Sequence, residues 1–532
     1  MRQRTLGTPT IPTTLTLDEM LSRTAARTPD RAAIRTTLDD VSFGELDARV
    51  SRLAAAIVDL VGERPCRIAV TPTLCTSFPV SLYGVLRSGN VAVTVKPMLR
   101  TAGIESVLRG CDVRLAFLTQ ALYARIAPAA DRLPGLRFVI VDEGAPAHEP
   151  GVLVLDDLLA AADPAPPRRR ADPASVAYLH FTHGTTGEPR AVQLSHRNLV
   201  ANAVQTANAH ELERLGIVLN HLPIYHCMHL NGAISAGATQ VLCPDPNPAT
   251  AIAMANAYGA RCFYAQPGQL ARLAIDQRLP DLRFETVEVV RTGGTDLKPS
   301  TASALSAHFG VPVIQGYGMV ENAALTHSDK RERPKLGSVG PAVLQTQCRV
   351  VDIDTRVPVP AGRRGEVQVR GPQVAVGYLG SDEPLVDADG WLSTGDVGYQ
   401  DEDGYLRLVD RLGDLFKVGN ELVSPTEIER LLTTHPAVRD CAVVDYPDPI
   451  LGRVPYALVV PRDRSAATPL AEIAAFANRQ LPPHQRIRHI TTIATIPGAD
   501  FGKVQRRQLR EQLIDPAAGT PGAVARTEGR QP

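Results

Sequence analysis

Ten residues carry the densest chemistry in the chain: Phe181, Thr182, His183, Gly184, Thr185, Thr186, Gly187, Glu188, Pro189 and Arg190. Three hydroxyls, two glycines and a cation follow an apolar run, Val176 to Leu179. Glycine lets backbone N–H groups approach an anion closely, and threonine adds hydroxyl donors. The segment therefore suits a polyphosphate. It is not a Walker loop, because no Gly-Lys-Ser/Thr follows its second glycine. Alone, the same residues also fit a Gly/Thr-rich hairpin turn.

The elements around this segment read as a layered α/β protein. Ser42-Phe43-Gly44-Glu45 has the form of a capping box, and Leu46, Val50, Leu53, Ile57 and Leu60 then form one apolar helical face. Arg67 to Val70, a helix from about Ser77 to Arg87 and a strand from Val91 to Val95 make a βαβ unit, which predicts a parallel sheet. Leu115 to Leu118 and Phe138 to Val141 continue it. Ala161 to Pro173 is rich in Pro, Arg and Asp and reads as a linker. Short strands follow at Cys348–Val351, Gly365–Val369 and Tyr405–Leu408, then a small α+β part after Arg411. The Pro/Ala/Gly/Thr-rich residues after Ile514 are expected to be disordered.

Composition narrows the function. The chain has 532 residues, too many for one core, and 56 basic residues balance 56 acidic ones. A net charge of zero gives no footprint for nucleic acid or an anionic membrane. No secretory signal and no apolar run of about 18 residues is seen, so a cytoplasmic protein is expected. Eight scattered cysteines lack a Cys-x-x-Cys pair and read as buried thiols. Lysine occurs only at 96, 298, 330, 335, 417 and 503, so a lysine inside a motif is informative.

Further motifs follow in order: Gly293-Gly294-Thr295-Asp296-Leu297, Gln315-Gly316-Tyr317-Gly318-Met319-Val320-Glu321, Ser393-Thr394-Gly395-Asp396, Asp410-Arg411, Gly419, Val423 to Glu429, and Phe501-Gly502-Lys503-Val504. In this order, over residues 16 to 512, they resemble the adenylate-forming superfamily of acyl-CoA synthetases, peptide-synthetase adenylation domains and firefly luciferase. The resemblance implies an α/β fold with a large N-terminal domain, residues 1–410, of parallel-sheet subdomains plus a small β-barrel-like subdomain. A small mobile α+β C-terminal domain, 411–515, would follow, then a tail, 516–532.

It also implies roles. Thr182, His183, Gly184, Thr185, Thr186 and Gly187 would surround the phosphates of ATP, with Arg190 as the cation where relatives have lysine. Gly294, Thr295, Gln315, Gly316, Tyr317 and Gly318 would bind adenine, and Tyr317 offers a stacking face. Glu321 would be the Mg²⁺ ligand. Asp396 and Arg411 would contact ribose, and Lys503 would be the electrostatic catalyst of adenylation. Gly413 marks a hinge, while Gly419 and Asn420 would line the coenzyme A tunnel.

His226, Met228, His229 and Gly232 are the expected acid pocket. No aspartate lies between Pro223 and Gly232 to pair an α-ammonium, which favours an aryl or acyl acid. A zinc site at His226 and His229 lacks a third nearby ligand. Three residues depart from the family pattern: His183 for a hydroxyl residue, Val320 for the threonine that meets the α-phosphate, and Ala191 for glycine. The leading expectation is an ATP- and Mg²⁺-dependent acid–CoA ligase of specialised metabolism. Transfer to a carrier protein, an amine or another nucleophile, or activation of an unusual oxyanion, stays open. A non-catalytic nucleotide-binding protein is the alternative of a different class. Retention of Glu321, Asp396, Arg411 and Lys503 speaks against it.

Overall fold

A computed structural model describes residues 10–142, 151–163, 170–183, 189–222, 227–419, 421–463, 469–497, 504–514 and 525–526, with backbone alone at 183, 189, 514, 525 and 526. The chain divides into two compact units, residues 1–347 with 369–392 and residues 348–368 with 393–532. The strands between 348 and 368 and between 393 and 410, which the sequence groups with the N-terminal part, thus fall in the second unit.

The first unit contains two eight-stranded sheets. One runs in the order Gly377–Tyr378, Pro189–Ser195, Val176–His183, Val91–Thr94, Arg67–Val70, Val113–Leu118, Arg137–Ile140, Val152–Val154. From Val176–His183 to Val152–Val154 it is parallel, as the βαβ pattern predicts. Its other edge is an antiparallel hairpin with a short third strand. The second sheet is parallel through Ala32–Arg35, Thr239–Leu242, Ile217–Asn220, Cys262–Tyr264, Val289–Gly293 and Val313–Tyr317. Antiparallel strands Asp40–Ser42 and His327–Ser328 close its edges.

Local chemistry accounts for these elements. Helix Phe43–Val61 starts at a true capping box, in which Glu45 N–H donates to Ser42 Oγ at 3.2 Å and Ser42 N–H donates to Glu45 Oε2 at 2.8 Å. Leu46, Val50, Leu53 and Ile57 are fully buried, and Leu60 sits half-buried at the rim. Each such burial contributes roughly 1.5–3 kcal/mol. All eight cysteines are free thiols; Cys111, Cys227, Cys243, Cys262 and Cys441 are buried as expected, whereas Cys66, Cys75 and Cys348 are partly exposed. No described helix is long and apolar enough to cross a membrane.

The second unit holds a four-stranded sheet, Gln347–Val351, Gly365–Arg370, Leu392–Gln400 and Leu406–Arg411, where the small β subdomain is expected. After it come the hairpin Phe416–Val418/Glu421–Val423, helix Pro425–Leu432 and the long antiparallel pair Val438–Asp448/Gly452–Pro461. Ile428, Leu432, Val443, Val459, Ile473 and Ile490 form its core. Ala525–Arg526 pairs with His489–Thr492, so this piece of the tail is hydrogen-bonded where the sequence predicts no order.

Candidate nucleotide and acid site

In parallel α/β sheets, ligands gather at the carboxyl ends of the strands. Three motifs of the first unit sit at such ends. Strand Val176–His183 runs into the phosphate segment, and strand Pro189–Ser195 returns antiparallel from it, with Thr182 opposite Arg190. Thr182 Oγ1 donates to the Arg190 carbonyl at 3.4 Å. Gly184, Thr185, Thr186 and Gly187 lie outside the described residues, as does the side chain of His183. Lys96, which belongs to none of the motifs, donates from Nζ to the Phe181 carbonyl at 3.0 Å and fastens the strand that leads into the phosphate segment.

The second motif follows strand Val289–Gly293. Gly293 pairs in register with Gly316, and a Cβ at Gly293 would stand 3.1 Å from the Gly316 carbonyl. The two glycines leave a strip of bare backbone beside Tyr317. Gly294 has φ +90°, a conformation glycine adopts without strain. Gln315 Oε1 accepts from Leu297 N–H at 2.8 Å, so its amide fixes the Gly293–Leu297 turn. Tyr317 is buried, and its ring lies 5.9 Å from that of His327, its partner on the neighbouring strand. Burial lowers the His327 pKa to about 3, which keeps this platform uncharged.

The third motif carries Glu321. The chain folds back sharply after Tyr317, and Thr326 N–H donates to the Tyr317 carbonyl at 2.8 Å. Any Cβ at Gly318 would overlap the Ala324 carbonyl, so only glycine fits there. The turn places Glu321 on a short 3₁₀ segment, Val320–Asn322, with 7% of its surface exposed. One carboxylate oxygen, Oε1, accepts from the Tyr378 hydroxyl at 2.9 Å. Oε2 has no hydrogen-bond partner and Glu321 no ion pair among the described residues. Tyr378 in turn lies under Arg190, whose guanidinium carbon is 3.5 Å from the ring centroid. Burial and the Glu321 carboxylate push the Tyr378 phenol up, so it remains a neutral donor.

This arrangement fits a magnesium ion. No described group of three or more His, Cys, Asp or Glu could hold a metal. Mg²⁺ commonly takes one or two protein carboxylates and completes its shell with phosphate oxygens and water. A buried, acceptor-only carboxylate with one oxygen unspent matches that demand.

The acid-pocket residues are partly visible. His226 lies outside the described residues. Met228 opens helix Met228–Ala236 and packs on Leu325 and Val343. Met228, Val320, Asn202 and Asn231 border one cavity of about 10 Å³, room for a single water. A pocket residue and a nucleotide-motif residue are thereby brought together. Gly232 is tight for another reason: a Cβ there would stand 2.8 Å from Thr206 Cγ2 on the adjacent helix.

The His229 ring lies tilted against that of Tyr264, with centroids 4.2 Å apart, and the Tyr264 hydroxyl meets His210 Nδ1 at 2.9 Å. Buried Arg291 stands on the strand position paired with Tyr264 and bonds to Ser328 Oγ and the Asp329 carbonyl, each at 3.2 Å. It makes no ion pair among the described residues. Burial, Arg291 and His229 hold the His210 imidazole well below its usual range. Nothing in the sequence sets Tyr264, His210 and Arg291 beside His229. Each sits in an apolar run or beside an ordinary loop.

In the second unit, Asp396 and Arg411 face each other across paired strands, with Arg411 Nε 2.7 Å from Asp396 Oδ1. The two predicted ribose contacts are therefore adjacent. Gly413 lies on a 3₁₀ turn with open space around it. Gly419 adopts φ +59° at the hairpin tip, and its N–H donates to the Leu451 carbonyl at 3.0 Å. Asn420 and Lys503 lie outside the described residues. Three residues beyond Lys503, buried Arg506 clamps Glu429 at 2.8 Å and Asp414 at 3.1 Å. It anchors helix Arg506–Ile514 against the Pro425–Leu432 helix.

Known proteins share this plan. The AMP-binding enzyme family matches residues 21–379, and the AMP-binding enzyme C-terminal domain matches residues 427–503. The 4-coumarate–CoA ligase 2 of Oryza sativa subsp. japonica is 30% identical over 94% of this chain and 93% of its own length. The rice 4-coumarate–CoA ligase-like 4 is 31% identical over 88% of this chain and 87% of its own. The ATP-bound structure of MatB from Rhodopseudomonas palustris superposes with a TM-score of 0.83 at 26% identity, covering 94% of this chain and 99% of that one. With its motifs arrayed at the strand ends and these matches spanning both units, the chain belongs to the AMP-binding, adenylate-forming enzymes.

Proposed function

We propose that the enzyme activates a carboxylic acid with ATP, forming an acyl-adenylate and pyrophosphate, and then passes the acyl group to coenzyme A. The observation that carries this is Glu321, a buried carboxylate held by Tyr378 with one oxygen unspent and no cation paired to it among the described residues. Glu321 would hold Mg²⁺, which neutralises charge on phosphate oxygens when bound. Thr182, the loop 184–188 and Arg190 bind the phosphates. The Gly293/Gly316 strip and Tyr317 receive adenine, and Asp396 with Arg411 receives ribose. Lys503 places a cation against the charge that develops as the carboxylate attacks the α-phosphorus. Residues 411–515 are the mobile part, pivoting near Gly413, with the Gly419–Asn420 loop serving thiol transfer.

The acid is an aryl or acyl acid without an α-amine. Met228, His229 and His226 are its lining, and the Arg291, His210 and Tyr264 cluster beside His229 favours a polar substituent. A cytoplasmic setting suits these substrates. The test is product mass after incubation with ATP, Mg²⁺ and a panel of aryl, short, medium and long acids, with and without coenzyme A. Acyl-CoA formed only when coenzyme A is present supports the reading. Turnover independent of coenzyme A would move the acceptor to an amine, carrier protein or other nucleophile.

A further inference from the structure

Tyr378 lies in none of the motifs, yet it touches two of them. Its hydroxyl donates to Glu321 Oε1 at 2.9 Å, and the Arg190 guanidinium stacks on its ring at 3.5 Å. The backbone around it makes the same two connections. Ala375 N–H donates to the Glu321 carbonyl at 2.9 Å, while Val376 and Leu379 N–H donate to the Gln193 and Ala191 carbonyls at 2.9 and 2.8 Å. Asn198 Nδ2 secures the approach to this strand through the Pro372 and Val374 carbonyls at 2.9 and 2.7 Å. Segment 375–379 is thus laced to the phosphate hairpin on one side and to the Glu321 turn on the other.

We infer that Tyr378 is a positioning residue that keeps Arg190 and Glu321 apart and aims both at the metal–triphosphate. A cation and a carboxylate this near a common partner would otherwise collapse into an ion pair. Such a pair would consume the metal ligand and the phosphate-binding cation together. The phenol prevents this as a neutral spacer. Its face holds the guanidinium by a cation–π contact, and its edge holds one carboxylate oxygen while leaving the other for the metal. Arginine suits this stack better than lysine would, because its planar fork lies flat on the ring.

The inference rests on Glu321 as metal ligand and is tested by binding, without turnover. Mn²⁺ retention in the enzyme–ATP complex is titrated by electron paramagnetic resonance, and metal-free ATP affinity by calorimetry, for wild type, Tyr378→Phe and Tyr378→Leu. Tyr378→Phe keeps the stack and loses the hydroxyl, so Mn²⁺ retention should fall about tenfold, as loss of a metal ligand's outer partner commonly does, with metal-free ATP affinity unchanged. Tyr378→Leu should weaken both. Thermal midpoints check folding, and Tyr378→Phe alone decides the metal arm if the leucine variant does not fold. If both affinities in Tyr378→Phe stay within about twofold of wild type, the inference is overturned. If wild type itself retains no Mn²⁺–ATP, the reading of Glu321 fails instead.

Discussion

Glu321 in the first unit is buried and Glu429 in the second is largely buried, and the two are used in opposite ways. Glu429 is saturated: Arg506 Nη2 donates to its two oxygens at 2.9 and 2.8 Å, and Val443 N–H adds a third bond at 2.7 Å. Among the described residues Glu321 receives one neutral side-chain donor, Tyr378, and Arg190 lies over the face of that donor's ring. Burying a carboxylate is costly unless it is paired and hydrogen-bonded. Glu429 offsets that cost with partners inside the fold, although burial still pushes its carboxyl up. Glu321 meets it in part and keeps coordinating capacity for a ligand. Burial alone does not separate a structural carboxylate from a functional one; the count of its donors does.

Breaking the saturated glutamate should give the largest effect on stability. Glu429→Ala leaves buried Arg506 with Asp414 as its remaining ion-pair partner, and loss of one partner of a buried pair commonly costs about 3–5 kcal/mol. Denaturant unfolding should show that loss. The converse holds for the unsaturated one. Glu321→Gln should reduce pyrophosphate release about 10²–10³-fold while moving the unfolding midpoint little. An equal loss of stability in the two variants would erase the distinction between them.

A smaller effect separates the units by pH. The described histidines whose pKa is lowered by burial, His196, His210, His221 and His327, all lie in the first unit. When unfolded, they take up protons below about pH 6.5, while His327 in the folded state resists protonation down to about pH 3. The unfolded state therefore binds more protons in this window. The stability these groups contribute is whole above about pH 6.5 and is lost as pH falls below it, down to about 3 for His327, by up to about 1.4 kcal/mol per unit for each group while it differs between the two states. Hydrogen exchange between pH 7 and 5 should show the first unit opening sooner with acid, and His327→Gln should blunt the slope. An equal response in both units would contradict this.

Much of the site was legible because its residues are fixed by local geometry. Gly318 must be glycine at its fold-back, Gly294 sits at positive φ, and the capping box at Ser42 announces its helix within four residues. What escaped notice depends on distant partners. Tyr378 reads as an ordinary strand tyrosine until Glu321, 57 residues earlier, meets its hydroxyl. Arg506 lies 77 residues from Glu429, and Arg291 stands in an apolar strand. Periodicity reports which face a residue takes and is silent on which chain segment arrives there.

The central claim is reversible adenylation of a carboxylic acid at the Glu321 site. Acid-dependent exchange of labelled pyrophosphate into ATP measures that step without reference to the final acceptor. The account predicts exchange that requires Mg²⁺ and one class of carboxylic acid, and that is lost in Glu321→Gln and Lys503→Ala. An enzyme that binds Mg²⁺–ATP yet catalyses no exchange with any acid in a broad panel would contradict it.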